Sequence, residues 1–196
     1  MRKFLLIALL AIYLMPAQVA LAAPRYAFPI QDCKVSYAKS HHDYPATDIL
    51  GKKGCKFVAV TGGVVDELRK VDTYNYKKPT GDTKGGIFVS IVGDDGVRYY
   101  GSHLMKVAPG IDLGTRVEAG TLLGYLGDTG DARGTAPHVH FGISWPTASN
   151  IWWVRRGELY PWRYLDAWKA GKDASPASAV AKLKTKYGEI PPIPSK

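Results

Sequence analysis

The chain has 196 residues, of which 46% are hydrophobic, and a formal net charge of +9. That supplies apolar side chains for one substantial core, with a single compact domain as the default. The lysines of the body run from Lys34 to Lys196 without a dense basic cluster, which argues against nucleic acid as a partner and for anionic polymers such as cell-wall teichoic acids, acidic glycans or membrane headgroups.

Residues 1–22 read as an export signal. Arg2 and Lys3 precede an apolar run from Phe4, and the small residues of Ala20-Leu21-Ala22 suit cleavage after Ala22. An uncleaved membrane anchor is the alternative, but the run before Pro16 is short for a bilayer span. No cysteine directly follows the run, which excludes a bacterial lipoprotein anchor. The mature chain is therefore expected outside the cytoplasm, periplasmic or in the extracellular cell wall, with no stable membrane insertion. It keeps a charge of +7 once Arg2 and Lys3 are gone. In such a compartment the two cysteines, Cys33 and Cys55, are expected to form a disulfide, worth on the order of 3 kcal/mol in the chain-entropy model.

From about residue 26 to 150, short β-rich runs are punctuated by glycine, the pattern of an all-β domain. "KFVAVTGGVVDEL" predicts two strands around Gly62-Gly63, and "GGIFVSIVGDDGVRYYGSHL" predicts a hairpin turning between Gly93 and Gly96. No helix of useful length fits there. Residues 72–85, "DTYNYKKPTGDTKG", predict a long surface loop that can wall a groove. Within it Tyr74 and Tyr76, and beyond it Trp152 and Trp153, are candidates for that wall; the ordinary alternatives are a solvated loop for the tyrosines and core packing for the tryptophans.

After residue 150 the composition shifts to Trp and Tyr, and Trp162, Leu165 and Trp168 have the spacing of a short helix ending near Gly171. A second helix is predicted from Ala177 to Tyr187, followed by an extended proline-rich tail expected to add little to the fold. The chain divides accordingly into the signal (1–22), a β domain (23–150), an aromatic-rich extension packing on it (151–175) and a tail (176–196). No internal repeat is present.

All five histidines fall in three short clusters: His41-His42 in "SHHDYPATDI", His103 in "YYGSHL", and His138 and His140 in "PHVHF". On a strand, alternation puts His138 and His140 on one face and Val139 and Phe141 on the other, toward a core. Imidazole and carboxylate are both zinc ligands, and Asp48 enters a strand at Ile49. Each feature taken alone has an ordinary structural reading: a hydrogen-bonded histidine, a surface pair or a turn aspartate. Their clustering, with no histidine elsewhere, favours a metal site.

In this order, the histidine before a strand-opening aspartate, "YGSHL", "VEAGTLLGYLGDTG" and "PHVHFGI" resemble the LytM/lysostaphin-type zinc peptidases that cut peptidoglycan cross-links. The resemblance spans roughly residues 35–145. It implies a mainly β fold, an antiparallel β-sheet domain with zinc at the floor of a groove and a short C-terminal helical segment. It also implies an exported zinc metalloendopeptidase acting on peptidoglycan cross-link peptides. Carried over position by position, the zinc ligands are His42, Asp48 and His140, with a fourth position for water. His103 and His138 take the catalytic roles, one accepting the water's proton and the pair steadying the oxyanion and protonating the leaving amine.

One departure is plain. The family places its first histidine four residues before the aspartate, whereas His42 is six before Asp48 with "DYPAT" between. Pro45 breaks the strand regularity that would put His42 and Asp48 on one face, so His41 and Asp43 stay open as the first ligand. The alternatives to an enzyme are a binding or hydrolase-activating module of the same fold without metal, and a structural zinc protein with a closed four-ligand site. A regulator would lack some of these residues, yet every position is filled. A glycine-rich protein substrate suits the same chemistry.

Overall fold

The computed structural model describes residues 26–193; the expected export signal, residues 1–22, lies outside them. The strands are β1 (Ile30–Gln31), β2 (Ser36–Tyr37), β3 (Thr47–Leu50), β4 (Lys56–Val58), β5 (Gly63–Arg69) and β6 (Phe88–Gly93). There follow β7 (Arg98–Ser102), β8 (Lys106–Val107), β9 (Arg116–Val117), β10 (Leu122–Tyr125) and β11 (His138–Ser144). Three helices close the chain: α1 (Trp152–Arg155), α2 (Trp162–Lys169) and α3 (Ala177–Tyr187).

Two antiparallel sheets result. The larger has seven strands in the order β2-β3-β11-β7-β6-β5-β9, the smaller four in the order β1-β4-β10-β8. The hairpin expected around Gly93 to Gly96 is β6–β7, and the strands flanking Gly62-Gly63 are β4 and β5. Between residues 26 and 150 the only helical turn is a 3-10 turn at Gly130–Ala132.

Strand alternation decides what faces where. In β11, Val139, Phe141 and Ile143 are wholly buried in the core, each contributing roughly 1.5–3 kcal/mol by leaving water. Their neighbours His138 and His140 take the opposite face of the large sheet. β3 lies antiparallel beside β11 with His140 directly opposite Asp48, and β7 flanks the other side with His140 opposite Ser102. The central strand thus carries one histidine between a carboxylate and a hydroxyl.

The disulfide joins Cys33 to Cys55, with the two Cα atoms 5.9 Å apart. It ties the segment that leads to the histidine pair to the edge of β4. The Trp168 indole of α2 stacks on Tyr26 at 5.5 Å, and Leu165 and Val180 are buried. The proline-rich tail does more than expected. The indole N–H groups of Trp145 and Trp153 donate to the carbonyls of Glu189 and Pro191, both at 2.8 Å. Indole donors taken out of water need acceptors, and the tail carbonyls supply them. Among the described residues no helix is long and apolar enough to cross a membrane.

Candidate metal centre and cleft

The site is built on the opposition of β3 and β11. Because Asp48 and His140 are cross-strand partners, their side chains project from the same face side by side, and Asp48 Oδ1 lies 3.0 Å from His140 Nδ1. His140 is held from behind: its Nε2 is 2.9 Å from the carbonyl oxygen of Arg156 and 3.5 Å from the Tyr44 hydroxyl. A carbonyl can only accept, so Nε2 carries the hydrogen. In the neutral ring Nδ1 then presents a lone pair to the Asp48 carboxylate. Two acceptors facing each other call for a cation between them.

Arg156 reaches His140 because position 142 is glycine. A Cβ there would stand 2.3 Å from the Arg156 carbonyl oxygen, so only glycine lets the chain after α1 lie against β11.

The third member is His41, whose Nε2 lies 3.8 Å from Asp48 Oδ2. Its side chain is 6% exposed, against Tyr44 at 4.6 Å and edge-on to His140 at 5.0 Å. One ligand atom from each of His41, Asp48 and His140 lies within 4.8 Å of the others, and these three form the one group among the described residues able to hold a metal ion. Burial, then the neighbouring His140, pushes the His41 imidazole down to about 4, so it is neutral at neutral pH and free to ligate. Burial works against the charge of Asp48, but the adjacent His140, with His138 and His41, outweighs it and holds the carboxyl well below its usual range.

His42, the expected first ligand, is not in this group. Its ring stacks on the solvent side of His41 at 3.9 Å, its side chain is 72% exposed, and its Nδ1 pairs with Asp43 at 2.9 Å. The turn through Pro45 shifts the strand parity by one residue, so His41 faces the carboxylate. Asp43 stays with His42, outside the group. Tyr44 occupies the position four residues before Asp48, and its phenol backs the site.

His103 and His138 stand beside this group with ring centroids 4.9 Å apart. His103 follows β7 in a left-handed conformation, φ 61°, uncommon for a residue with a Cβ. Its Nδ1 donates to the Thr129 carbonyl at 2.8 Å, and His138 Nδ1 donates to Ala136 at 2.9 Å. Both carbonyls fix the tautomer, leaving each Nε2 as the nitrogen with a lone pair. Burial, followed by the fields of His140 and His138, pushes His103 down to about 3. Asp131 lies 4.0 Å from His103 Nε2, its carboxyl raised above the usual range by burial.

All five residues open onto one cleft of about 420 Å³. The loop over residues 72–85 forms one wall through Gly81, Lys84 and Gly85. Gly81 lies against the Trp152 indole so closely that a Cβ would overlap it, at 2.0 Å. Of the aromatic candidates, Trp152 lines the cleft and Trp153 turns inward to the tail, while the Tyr76 hydroxyl ties the loop to the carbonyls of Gly130 and Arg133. Tyr44, Asp131 and Arg156 stand outside the sequence motifs, and only the glycine inside the β11 pattern points to the close approach of Arg156.

The family model described as Peptidase family M23 matches residues 42–151. No curated protein matches the chain. Among solved structures, the catalytic domain of lysostaphin from Staphylococcus simulans is 23% identical, with a TM-score of 0.51 over 67% of this chain and 92% of its own. A LytM from Ruminococcus gnavus, proposed to be a glycyl-glycine endopeptidase, is 25% identical with a TM-score of 0.56, covering 76% of this chain and 62% of its own. The lysostaphin likeness shows the shared fold, mostly antiparallel sheet with a C-terminal helix. The family match extends over more than half of the sequence, and the chain belongs to peptidase family M23.

Proposed function

We propose that this protein is an exported zinc endopeptidase that hydrolyses peptide cross-links of bacterial peptidoglycan. The observation that carries the reading is the facing of His140 Nδ1, Asp48 and His41 Nε2 in a cleft where His103 and His138 each keep Nε2 clear of the carbonyl that takes their Nδ1. Two imidazoles and one carboxylate are a zinc donor set that leaves a position open, as catalytic centres require. His41, Asp48 and His140 would hold the ion. Zinc bound there would lower the pKa of water toward about 7 and polarise the scissile carbonyl.

The remaining chemistry belongs to the chain's own side chains. The Nδ1–H groups of His103 and His138 are committed to carbonyls, so protons enter and leave through Nε2. Asp131, near His103 Nε2, favours the imidazolium once that ring has taken a proton. A protonated Nε2 can then donate to the oxyanion or to the departing amine. The Arg156 carbonyl orients His140, and Trp152 with the loop over residues 72–85 forms a wall of the cleft.

Export of the chain and a mature protein without its first 22 residues belong to the same reading. So does the basic surface, suited to anionic cell-wall polymers. The test is release of soluble fragments from purified peptidoglycan by the mature protein. Zinc-dependent release with new amino termini is the expected result; stoichiometric zinc without release would instead favour a binding or hydrolase-activating module.

A further inference from the structure

The two arginines that end α1 have different surroundings. Arg155 is buried, paired with Glu67, and its guanidinium lies over Phe88 at 4.4 Å. Arg156 lines the cleft, and among the described residues its side chain has neither an ion-pair partner nor a hydrogen bond; its Nε is buried without an acceptor. The guanidinium carbon sits 3.8 Å from the Tyr44 ring centroid and 5.2 Å from that of Trp152. Aromatic faces hold a guanidinium by its flat sides and leave its in-plane N–H donors unused.

Neither nearby carboxylate completes it. Asp43 is engaged with His42 at 2.9 Å. Glu158 feels the charge of Arg156, yet burial pushes its carboxyl up to about 7, the reverse of what a direct ion pair would produce. The other cleft cation without an ion pair, Lys84, acts on Asp131, to whose backbone N–H its own carbonyl is bonded. Arg156 alone therefore combines a fixed plane, free donors and no internal counter-charge. A planar fork of this kind is completed by a carboxylate accepting two parallel hydrogen bonds. Its own carbonyl holds His140, and its guanidinium lies on the Tyr44 ring that packs against His41 and His140, which places the fork beside the candidate metal group.

We propose that Arg156 is a specificity-determining residue that binds a free carboxylate on the substrate residue flanking the scissile amide. The substrate is then an acidic peptide cross-link and not a neutral glycine bridge. This rests on the peptidase reading for the words "scissile amide", but the binding of a carboxylate can be measured independently of cleavage.

The experiment uses two synthetic cross-link peptides that differ only in a carboxylate or carboxamide next to the central amide. Binding is measured by calorimetry with the metal-free mature chain, and hydrolysis of the same pair is followed with the zinc-loaded chain. The carboxylate peptide is expected to bind at least about tenfold tighter, the scale of one charge-assisted contact. That ratio should fall to near one in Arg156→Met and survive in part in Arg156→Lys, a change that a purely structural role would not produce. Arg156→Gln replaces the Met variant if the latter does not fold. Equal binding of the two peptides by the wild type, or a preference that survives loss of the guanidinium, overturns the proposal. Preferential binding with neither peptide cut keeps Arg156 in its role and removes the peptidase reading; cutting with equal binding does the opposite.

Discussion

Asp48 and His140 are directly opposed residues of β3 and β11, and their Oδ1 and Nδ1 atoms face each other across 3.0 Å. Strand register alone produces that distance, and His41 completes the group from a loop. Zinc content should therefore divide the two adjacent histidines. His41→Ala, Asp48→Ala and His140→Ala are expected to lose stoichiometric zinc, whereas His42→Ala, whose ring is exposed beside Asp43, keeps it. Elemental analysis of dialysed protein reads the result, and zinc lost from His42→Ala but kept in His41→Ala would reverse the ligand assignment.

In the proposed mechanism His103 and His138 act on protons and not on the ion. Their alanine variants should retain one zinc per chain while hydrolysis falls by about 10²–10⁴-fold, the range for loss of a positioned acid or base. Paired zinc and rate measurements on the same preparations decide it. Loss of zinc from either variant would make that residue a ligand.

Burial of a neutral histidine makes stability depend on pH. His103 titrates at about 3 in the folded chain, against an ordinary value near 6.5 once unfolded. Below that ordinary value the unfolded chain binds a proton that the folded one refuses, so the contribution is fully present above about pH 6.5 and is lost as pH falls toward 3. The slope is at most about 1.4 kcal/mol per pH unit for one group. His41, pushed down to about 4, acts in the same direction. In urea unfolding of metal-free protein between pH 7 and 5, His103→Asn should show a shallower decline than wild type; asparagine tolerates the left-handed backbone there. Parallel declines would mean that His103 is not buried neutral.

The sequence exposes those parts of the fold that depend on short-range periodicity. Alternation in "HVHFGIS" sorts His138 and His140 from Val139 and Phe141, because a strand has only two faces. The β6–β7 hairpin and the helix from Ala177 to Tyr187 are legible for the same local reason. The first ligand is not, since Pro45 removes the periodicity that would carry a face assignment from Asp48 back to the histidine pair. Tyr44 and Arg156 are hidden for a different reason. Both act through tertiary approach, a phenol and a backbone carbonyl brought to the same nitrogen of His140, and neither residue type announces such a role. The contribution of the tail is not legible, because the indoles its carbonyls satisfy, Trp145 and Trp153, lie far from it in sequence.

The least conspicuous link in the site is Gly142, which touches neither metal group nor cleft. A Cβ at this position would lie 2.3 Å from the Arg156 oxygen and 2.6 Å from its carbonyl carbon, both backbone atoms that can yield only by moving the chain after α1 away from β11. Gly142→Ala should thus cost on the order of 2 kcal/mol of stability, in the range for overpacking a tight site. Moving the carbonyl also frees the His140 ring from the contact that fixes its tautomer, and zinc affinity should fall by about tenfold or more, as it does when an outer partner of a ligating histidine is lost. Competition with a chromophoric chelator measures the affinity, and urea unfolding of the same protein measures the stability. A variant that loses stability but binds zinc as tightly as wild type would show that His140 is oriented by β11 itself and not by Arg156.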